Sequence, residues 1–254
     1  MNSRGQEQDS TEGRSCPQLI LILISLFLLL TAMILGVIGV MSPSWQIVDI
    51  REFQAEHHHG LWQDCTRADR SFRRTEHGLA DKSPLHCTYK FDVNAAQMLQ
   101  EHHMEVDSNS AAAESEHHQF YGWHKAVLVF IFLSLAAGAL ALCVGICTPC
   151  SPPCALMHSV LCFIAFLSAV VAASIFFFAA HRVDSRFVQG LVATYEQQIG
   201  EAFYCYVVSC ILLMLVFILS IIGAYHALRN TQSEELSVRE LAPLYQTQYG
   251  KTTV

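Results

Sequence analysis

Four long apolar blocks, separated by polar segments, predict a membrane protein. The blocks cover residues 18–41, 126–147, 155–180 and 202–225, and none of them contains Asp, Glu, Lys or Arg. Each block reaches the roughly 20 residues that a helix needs to span a bilayer. The first block is longer than the apolar core of a cleaved signal peptide, which has about 7–15 residues, so we expect an uncleaved signal anchor. The pattern therefore indicates four transmembrane helices.

The polar segments give the predicted layout. A head, 1–17, and a tail, 226–254, flank the spans, and a hairpin, 148–154, joins the second span to the third. The first loop, 42–125, and the second loop, 181–201, lie on the opposite side. The head has few core-forming residues, and we expect it to be disordered. The head and tail hold five Lys and Arg residues and the second loop two, which favours cytoplasmic termini by the positive-inside rule.

The composition argues against several functional classes. With 52% hydrophobic and 15% charged residues, the chain is too apolar for a typical soluble protein. There is no Gly-rich phosphate loop, serine elbow or HExxH motif, so we expect neither an enzyme nor a cofactor site. No acidic or basic residue lies within a span, which argues against an ion pathway through the helices. Membrane lipid is the expected surrounding, and nucleic acid is not an expected partner.

Two tryptophans and two cysteines in the first loop predict a small folded extracellular domain. Trp45 and Trp62 lie outside the spans, where a large indole ring is buried only against a folded platform. Cys65 and Cys87 are the only cysteines on the predicted outer side, so they form one disulfide or remain two thiols. An oxidising compartment favours the disulfide. Closing this loop would stabilise the domain by about 3 kcal/mol in the chain-entropy model.

The cysteines on the predicted inner side have a different expected role. Cys147 and Cys150 have CxxC spacing, but no second pair completes a metal site. Cys16, Cys147, Cys150 and Cys154 lie close to the membrane and are candidates for S-palmitoylation, the alternative being plain thiols.

Histidines are concentrated in the first loop. The tripeptide Glu-His-His occurs three times, and its first copy is extended to His57, His58 and His59. Imidazole with carboxylate can bind zinc or copper, and several imidazoles gain charge as the pH falls through about 6.5. These three histidines are the candidate metal ligands, and pH sensing is the second hypothesis. For the last two copies we favour a solvated, partly disordered insertion.

The chain ends in Lys-Thr-Thr-Val. The hydroxyl of Thr252 lies two places before the carboxylate of Val254, with Thr253 between them. PDZ domains bind such an end by strand addition and capture the carboxylate with backbone amides. The tail therefore predicts a PDZ scaffold protein as a cytoplasmic partner.

The sequence resembles the claudin superfamily, which includes the peripheral myelin proteins and the calcium-channel γ subunits. The resemblance is carried by a long loop between the first two of four spans, with Trp45, Gly60-Leu61-Trp62, Cys65 and Cys87. The entry to the last span, Gly200-Glu201-Ala202-Phe203-Tyr204, and the PDZ-type tail are also similar. The His-rich flank of Gly-Leu-Trp looks like the divergent invertebrate claudin-like (Clc-like) branch.

This resemblance implies an all-α membrane protein, a left-handed four-helix bundle with a small antiparallel β-sheet pinned by the disulfide. Trp45, Leu61 and Trp62 would hold the sheet at the outer membrane boundary. Lys125 would occupy the neighbourhood of an arginine that precedes the second span in claudins. The first loop is longer than in vertebrate claudins, with 21 residues between its cysteines, so the residues of a paracellular pore do not carry over.

Two functional hypotheses follow from the resemblance. In the first, the protein lies in the plasma membrane at cell–cell contacts, binds claudin-like neighbours in cis and in trans, and contributes to adhesion or to the paracellular barrier. The first loop holds 8 Lys and Arg against 13 Asp and Glu, which would favour cations in any paracellular path. In the alternative, the protein is an auxiliary, γ-type subunit that regulates the trafficking or gating of an ion channel. We prefer the junction hypothesis.

Overall fold

The computed structural model describes residues 4–50, 55–68, 86–91, 120–149, 151–182, 187–189 and 194–249. Within these residues, four long helices dominate: α1 (Arg4–Met41), α2 (Gly122–Cys147), α3 (Pro152–Ala180) and α4 (Glu201–Tyr249). Each helix contains a stretch long and apolar enough to cross a membrane: Leu19–Met41, Gly122–Cys147, Pro152–Ala180 and Glu201–Ser233. The short strands are β1 (Gln46–Ile50), β2 (Ala55–His59), β3 (Gln63–Ala68), β4 (His86–Tyr89), β5 (Phe187–Gln189), β6 (Thr194–Glu196) and β7 (Gln198–Ile199). The predicted fold class is confirmed.

The expectation that the head is disordered was wrong. The first helix begins at Arg4 and so includes most of the polar head. Gln, Glu and Arg in this segment favour a helix, whereas Gly5, Gly13 and Pro17 oppose one. The local propensity alone therefore does not explain this extension. The polar tail is also helical, as far as Tyr249.

The internal contacts divide the chain into two compact units. The first, here called the helical unit, comprises residues 1–31, 136–166 and 211–254. The second, the sheet unit, comprises residues 32–135 and 167–210 and contains every strand that the structure describes.

Small residues allow the helices of the helical unit to approach closely. A Cβ added at Gly145 of α2 would collide with the side chain of Leu26 on α1. On α3, His158 donates from Nδ1 to the carbonyl of Ala141 at 2.9 Å, and Ser159 donates to the carbonyl of Ser220 at 2.9 Å. Close backbones and interhelical hydrogen bonds are the usual contacts between helices in a bilayer, where lipid supplies no hydrophobic driving force.

The sheet unit contains a five-stranded antiparallel sheet in the order β4-β3-β2-β1-β7. Strands β1 to β4 follow one another along the chain, whereas β7 comes from the segment between α3 and α4. It pairs with β1 through Gln46 opposite Ile199 and Ile47 opposite Gln198. Both polar segments therefore contribute to one sheet. Strands β5 and β6 form a separate hairpin.

Candidate functional site

Trp45 fills the space where α1 ends and the sheet begins. Its side chain is fully buried, and its ring meets Phe176 edge-on with the centroids 4.7 Å apart. Its indole N–H donates to the carbonyl of Gly39 at 2.8 Å. In a continuous helix this carbonyl would accept from residue 43, which is Pro43 and has no N–H. Trp45 therefore supplies a hydrogen bond that the backbone cannot make.

The next two carbonyls of α1 are also capped by side chains. The indole N–H of Trp62 donates to the carbonyl of Val40 at 3.0 Å, and the amide of Gln63 donates to that of Met41 at 2.9 Å. The last carbonyls of a helix have no partner within the helix and need one elsewhere. The residues that carry the family resemblance thus end the first span and attach the sheet to it.

Gly60 allows the turn between β2 and β3 to pack against the chain that leaves α1. A Cβ here would lie 2.7 Å from the carbonyl oxygen of Gln63 and 2.9 Å from the Cα of Pro43. The Gly60 N–H donates to the same Gln63 carbonyl at 2.8 Å. Leu61, the next residue, is fully buried. Glycine is required at position 60 because a side chain would strike backbone that has no room to move.

Gly200 makes a second close approach, at the start of α4. A Cβ at this position would fall on the carbonyl of Ser44. The Gly200 N–H donates to the carbonyl of Trp45 at 2.9 Å, and the Ala202 N–H donates to that of Ser44 at 3.1 Å. The Gly-x-Ala pattern at the entry to the last span therefore joins α4 to the residues just before β1.

Cys65 and Cys87 form a disulfide, which confirms the pairing expected from the sequence. They lie directly opposite each other on β3 and β4, with their Cα atoms 4.0 Å apart. The bond therefore joins the edge strand β4 to the interior of the sheet.

A buried network of four polar side chains joins the sheet to α2. The Lys90 ammonium lies 3.3 Å from Oδ1 of Asp64 and donates to Nε2 of His124 at 3.1 Å. His59 Nδ1 lies 3.1 Å from the same Asp64 oxygen. The side chains of Lys90 and Asp64 are each only 2% exposed. Burial lowers the pKa of Lys90, and the Asp64 carboxylate opposes that shift in part.

The sequence analysis did not predict this network, although the disulfide fixes the strand register from which it could have been predicted. With Cys65 opposite Cys87, antiparallel register places Thr88 opposite Asp64 and Lys90 one diagonal step further on the same face. Lys125, the cation expected at this level, is exposed and lies 5.3 Å above the ring of Phe120. The buried cation is Lys90.

The three candidate metal ligands lie on a strand, and the structure does not bring them together. His57 and His59 share one face of β2, whereas strand alternation puts His58 on the other face. His58 Nδ1 lies 3.0 Å from the Ser44 hydroxyl and is buried. Among the described residues no group of three or more His, Cys, Asp or Glu side chains is placed to hold a metal ion. The other two Glu-His-His copies lie outside the described residues.

The predicted modification and tail sites are only partly within the described residues. Cys147 is exposed at the end of α2, Cys154 is half-buried in the first turn of α3, and Cys16 lies in α1. Cys150 and the terminal Thr252, Thr253 and Val254 lie outside the described residues.

Comparison with known proteins agrees with this architecture. A family model described as Clc-like matches residues 19–232, which include all four apolar helices and the sheet. None of the curated proteins compared with the chain matches it. Because the family model covers most of the chain, this protein belongs to the Clc-like family, a claudin-like family of membrane proteins.

Proposed function

We propose that this protein is a claudin-like component of cell–cell junctions, which binds neighbouring molecules through its sheet. The observation that carries the proposal is the pairing of β1 with β7, since it joins strands from both polar segments in one platform. A surface that is ordered before binding loses less entropy on association. The disulfide and the capped end of α1 both restrict the motion of this platform.

The disulfide supports the orientation that we propose. Disulfides persist in oxidising compartments and are rare in the cytosol. We therefore propose that the sheet, which carries the Cys65–Cys87 bond, faces the outside of the plasma membrane. Four spans return the chain to its starting side, so both termini are cytoplasmic.

This orientation gives the two ends of the molecule separate roles. The sheet meets claudin-like neighbours in the same membrane and in the opposing one, and thereby contributes to adhesion or to the paracellular barrier. The cytoplasmic Thr252-Thr253-Val254 end binds a PDZ scaffold. Cys147 lies at the end of α2, and Cys154 lies at the start of α3. Palmitoylation of these two cysteines would add lipid anchors on the cytoplasmic side.

A cell-contact assay tests the adhesive role. The tagged protein is expressed in non-adherent cells, and its enrichment is compared at contacts between two expressing cells and contacts with a non-expressing cell. We expect enrichment only at the first kind, and we expect Cys65→Ser to abolish it. Cys143→Ser is the matched control, because it removes an exposed helix cysteine to which no role is assigned and leaves the sheet intact.

Two further measurements separate the possible outcomes. Surface biotinylation shows whether Cys65→Ser reaches the plasma membrane, so that a folding defect is not mistaken for lost adhesion. Deleting residues 252–254 should abolish scaffold binding and leave contact enrichment unchanged. A uniform distribution of the wild-type protein at the cell surface would contradict homotypic adhesion, and the search would then turn to an ion-channel partner.

A further inference from the structure

Three aromatic side chains form a continuous patch where the edge strand β4 leaves the sheet. The patch, here called the aromatic rim, consists of Trp62, Tyr89 and Phe91. Tyr89 and Phe91 stack with centroids 5.3 Å apart, and Trp62 lies 5.9 Å from Tyr89. Tyr89 is 51% exposed and Phe91 60% exposed, which is unusual for a stacked pair of large rings. None of the hydrogen bonds or ring contacts that attach the sheet to α1 involves Phe91.

Two contacts fix the level of the aromatic rim relative to the spanning helices. Trp62 is hydrogen-bonded to the carbonyl of Val40, in the last turn of α1. Lys90, between the two exposed rings, is hydrogen-bonded to His124 in the first turn of α2. Both helices are long and apolar enough to span a bilayer, and both ends mark the boundary of a span. The rim therefore lies at the level of these two helix ends.

The chemistry of the rim suits that level. Lys90 directs its ammonium inward to Asp64, so the segment from Tyr89 to Phe91 presents two aromatic rings and no formal charge at the surface. Trp and Tyr concentrate at membrane interfaces, where the ring contacts acyl chains and the polar end stays hydrated. The purely apolar ring of Phe91 adds surface for contact with the acyl chains. Met41, the last residue of α1, is itself 54% exposed, so apolar surface continues up to the rim.

From these observations we infer that the aromatic rim inserts into the bilayer interface, so that β4 lies against lipid. The sheet is then attached to the membrane at a second place besides the end of α1. Tyr89 and Phe91 carry this second attachment, since Trp62 already caps the end of α1. The inference does not depend on adhesion, and it would hold equally for a channel subunit.

Photocrosslinking in a defined bilayer tests the inference. The full-length protein, one copy per phosphatidylcholine nanodisc, carries benzoylphenylalanine in place of Phe91, a substitution that keeps the phenyl ring. The matched control places it at Asp49, which is exposed on β1 towards the end of the strand remote from α1. We expect a phospholipid adduct on the peptide containing position 91, in several-fold excess over position 49.

The other outcomes have definite meanings. Equal lipid adducts at both positions, or none at position 91, would overturn the inference. A protein–protein adduct in nanodiscs holding two copies, with no lipid adduct, would instead assign the rim to a contact between copies of this chain. Tyr89 substituted in the same way is the second variant, and it guards against a local disturbance at Phe91. Retention of the Cys65–Cys87 disulfide shows that each variant is folded.

Discussion

Removing the buried ammonium of Lys90 should destabilise the sheet unit strongly. Met is an unbranched side chain that fills nearly the same volume as the stem of Lys. In Lys90→Met, Asp64 therefore remains a carboxylate that is 2% exposed, but it has lost its cation at 3.3 Å. Breaking a buried ion pair by removing one partner costs about 3–5 kcal/mol, because the remaining charge has left water without compensation. His59 still lies 3.1 Å from the carboxylate, so we expect the lower half of that range.

The free energy of unfolding can be measured by titrating the detergent-solubilised protein with SDS. The fluorescence of the three tryptophans reports the loss of the sheet unit. Trp45 and Trp62 are fixed at the end of α1, and Trp123 stacks on His124 of the buried network. Lys125→Met is the matched control, because Lys125 is exposed above Phe120 and its removal should cost less than about 1 kcal/mol.

A double-mutant cycle distinguishes a buried pair from two independent effects. Asp64→Leu combined with Lys90→Met removes both charges, and replacing a whole buried pair by apolar side chains is often close to neutral. The double variant should therefore be markedly more stable than the sum of the single variants predicts. If the two costs simply add, or if Lys90→Met alone costs under about 1 kcal/mol, the pair is solvated and the reasoning fails.

Three further predictions concern the same region. Trp62→Phe keeps an aromatic ring but leaves the Val40 carbonyl without its indole donor. The substitution should lower the free energy of SDS unfolding by about 1 kcal/mol. Gly60→Ala should prevent the protein from reaching the cell surface, measured by biotinylation, whereas Gly122→Ala should not, since nothing lies within 4 Å of a Cβ at Gly122. Burial lowers the pKa of Lys90 in the folded protein below the usual 10.5. Just below pH 10.5, Lys90 therefore holds its proton more fully in the unfolded chain than in the folded protein. The stability of the wild-type protein relative to Lys90→Met should therefore rise as the pH approaches 10.5, and a fall would show that pairing with Asp64 outweighs burial.

The four spans could be predicted from the sequence because a bilayer imposes a simple requirement. About 20 residues without charge are rare outside a membrane, so the absence of Asp, Glu, Lys and Arg identified each span without any knowledge of packing. The Cys65–Cys87 bond was predictable for a similar reason, since the layout left only two cysteines on one side.

The ends of the first and last helices were harder to predict. Composition describes Arg4 to Cys16 as polar, and a polar segment can be either a solvated helix or a disordered chain. Composition does not distinguish the two, because helix-forming Gln and Glu are mixed here with Gly5, Gly13 and Pro17.

The buried network was not predicted because its members look like ordinary loop charges. Asp64 and Lys90 are far apart in sequence, and neither lies in a hydrophobic pattern. The pairing of β3 with β4 puts them on one face, and His124 of α2 meets Lys90 there. A homologous arginine suggested Lys125 instead, which has the right charge and the right place in the sequence but faces outward.

The motif residues and the buried network attach the sheet to two spanning helices. Where α1 ends, Gly39, Val40 and Met41 present carbonyls with no backbone donor, and Trp45, Trp62 and Gln63 supply the donors. Where α2 begins, Lys90 reaches from the sheet to His124. The sheet is thus hydrogen-bonded to the end of one span and the start of the next. Its level in the membrane follows from these bonds, because a sheet so attached cannot rise from the bilayer without exposing the end of α1.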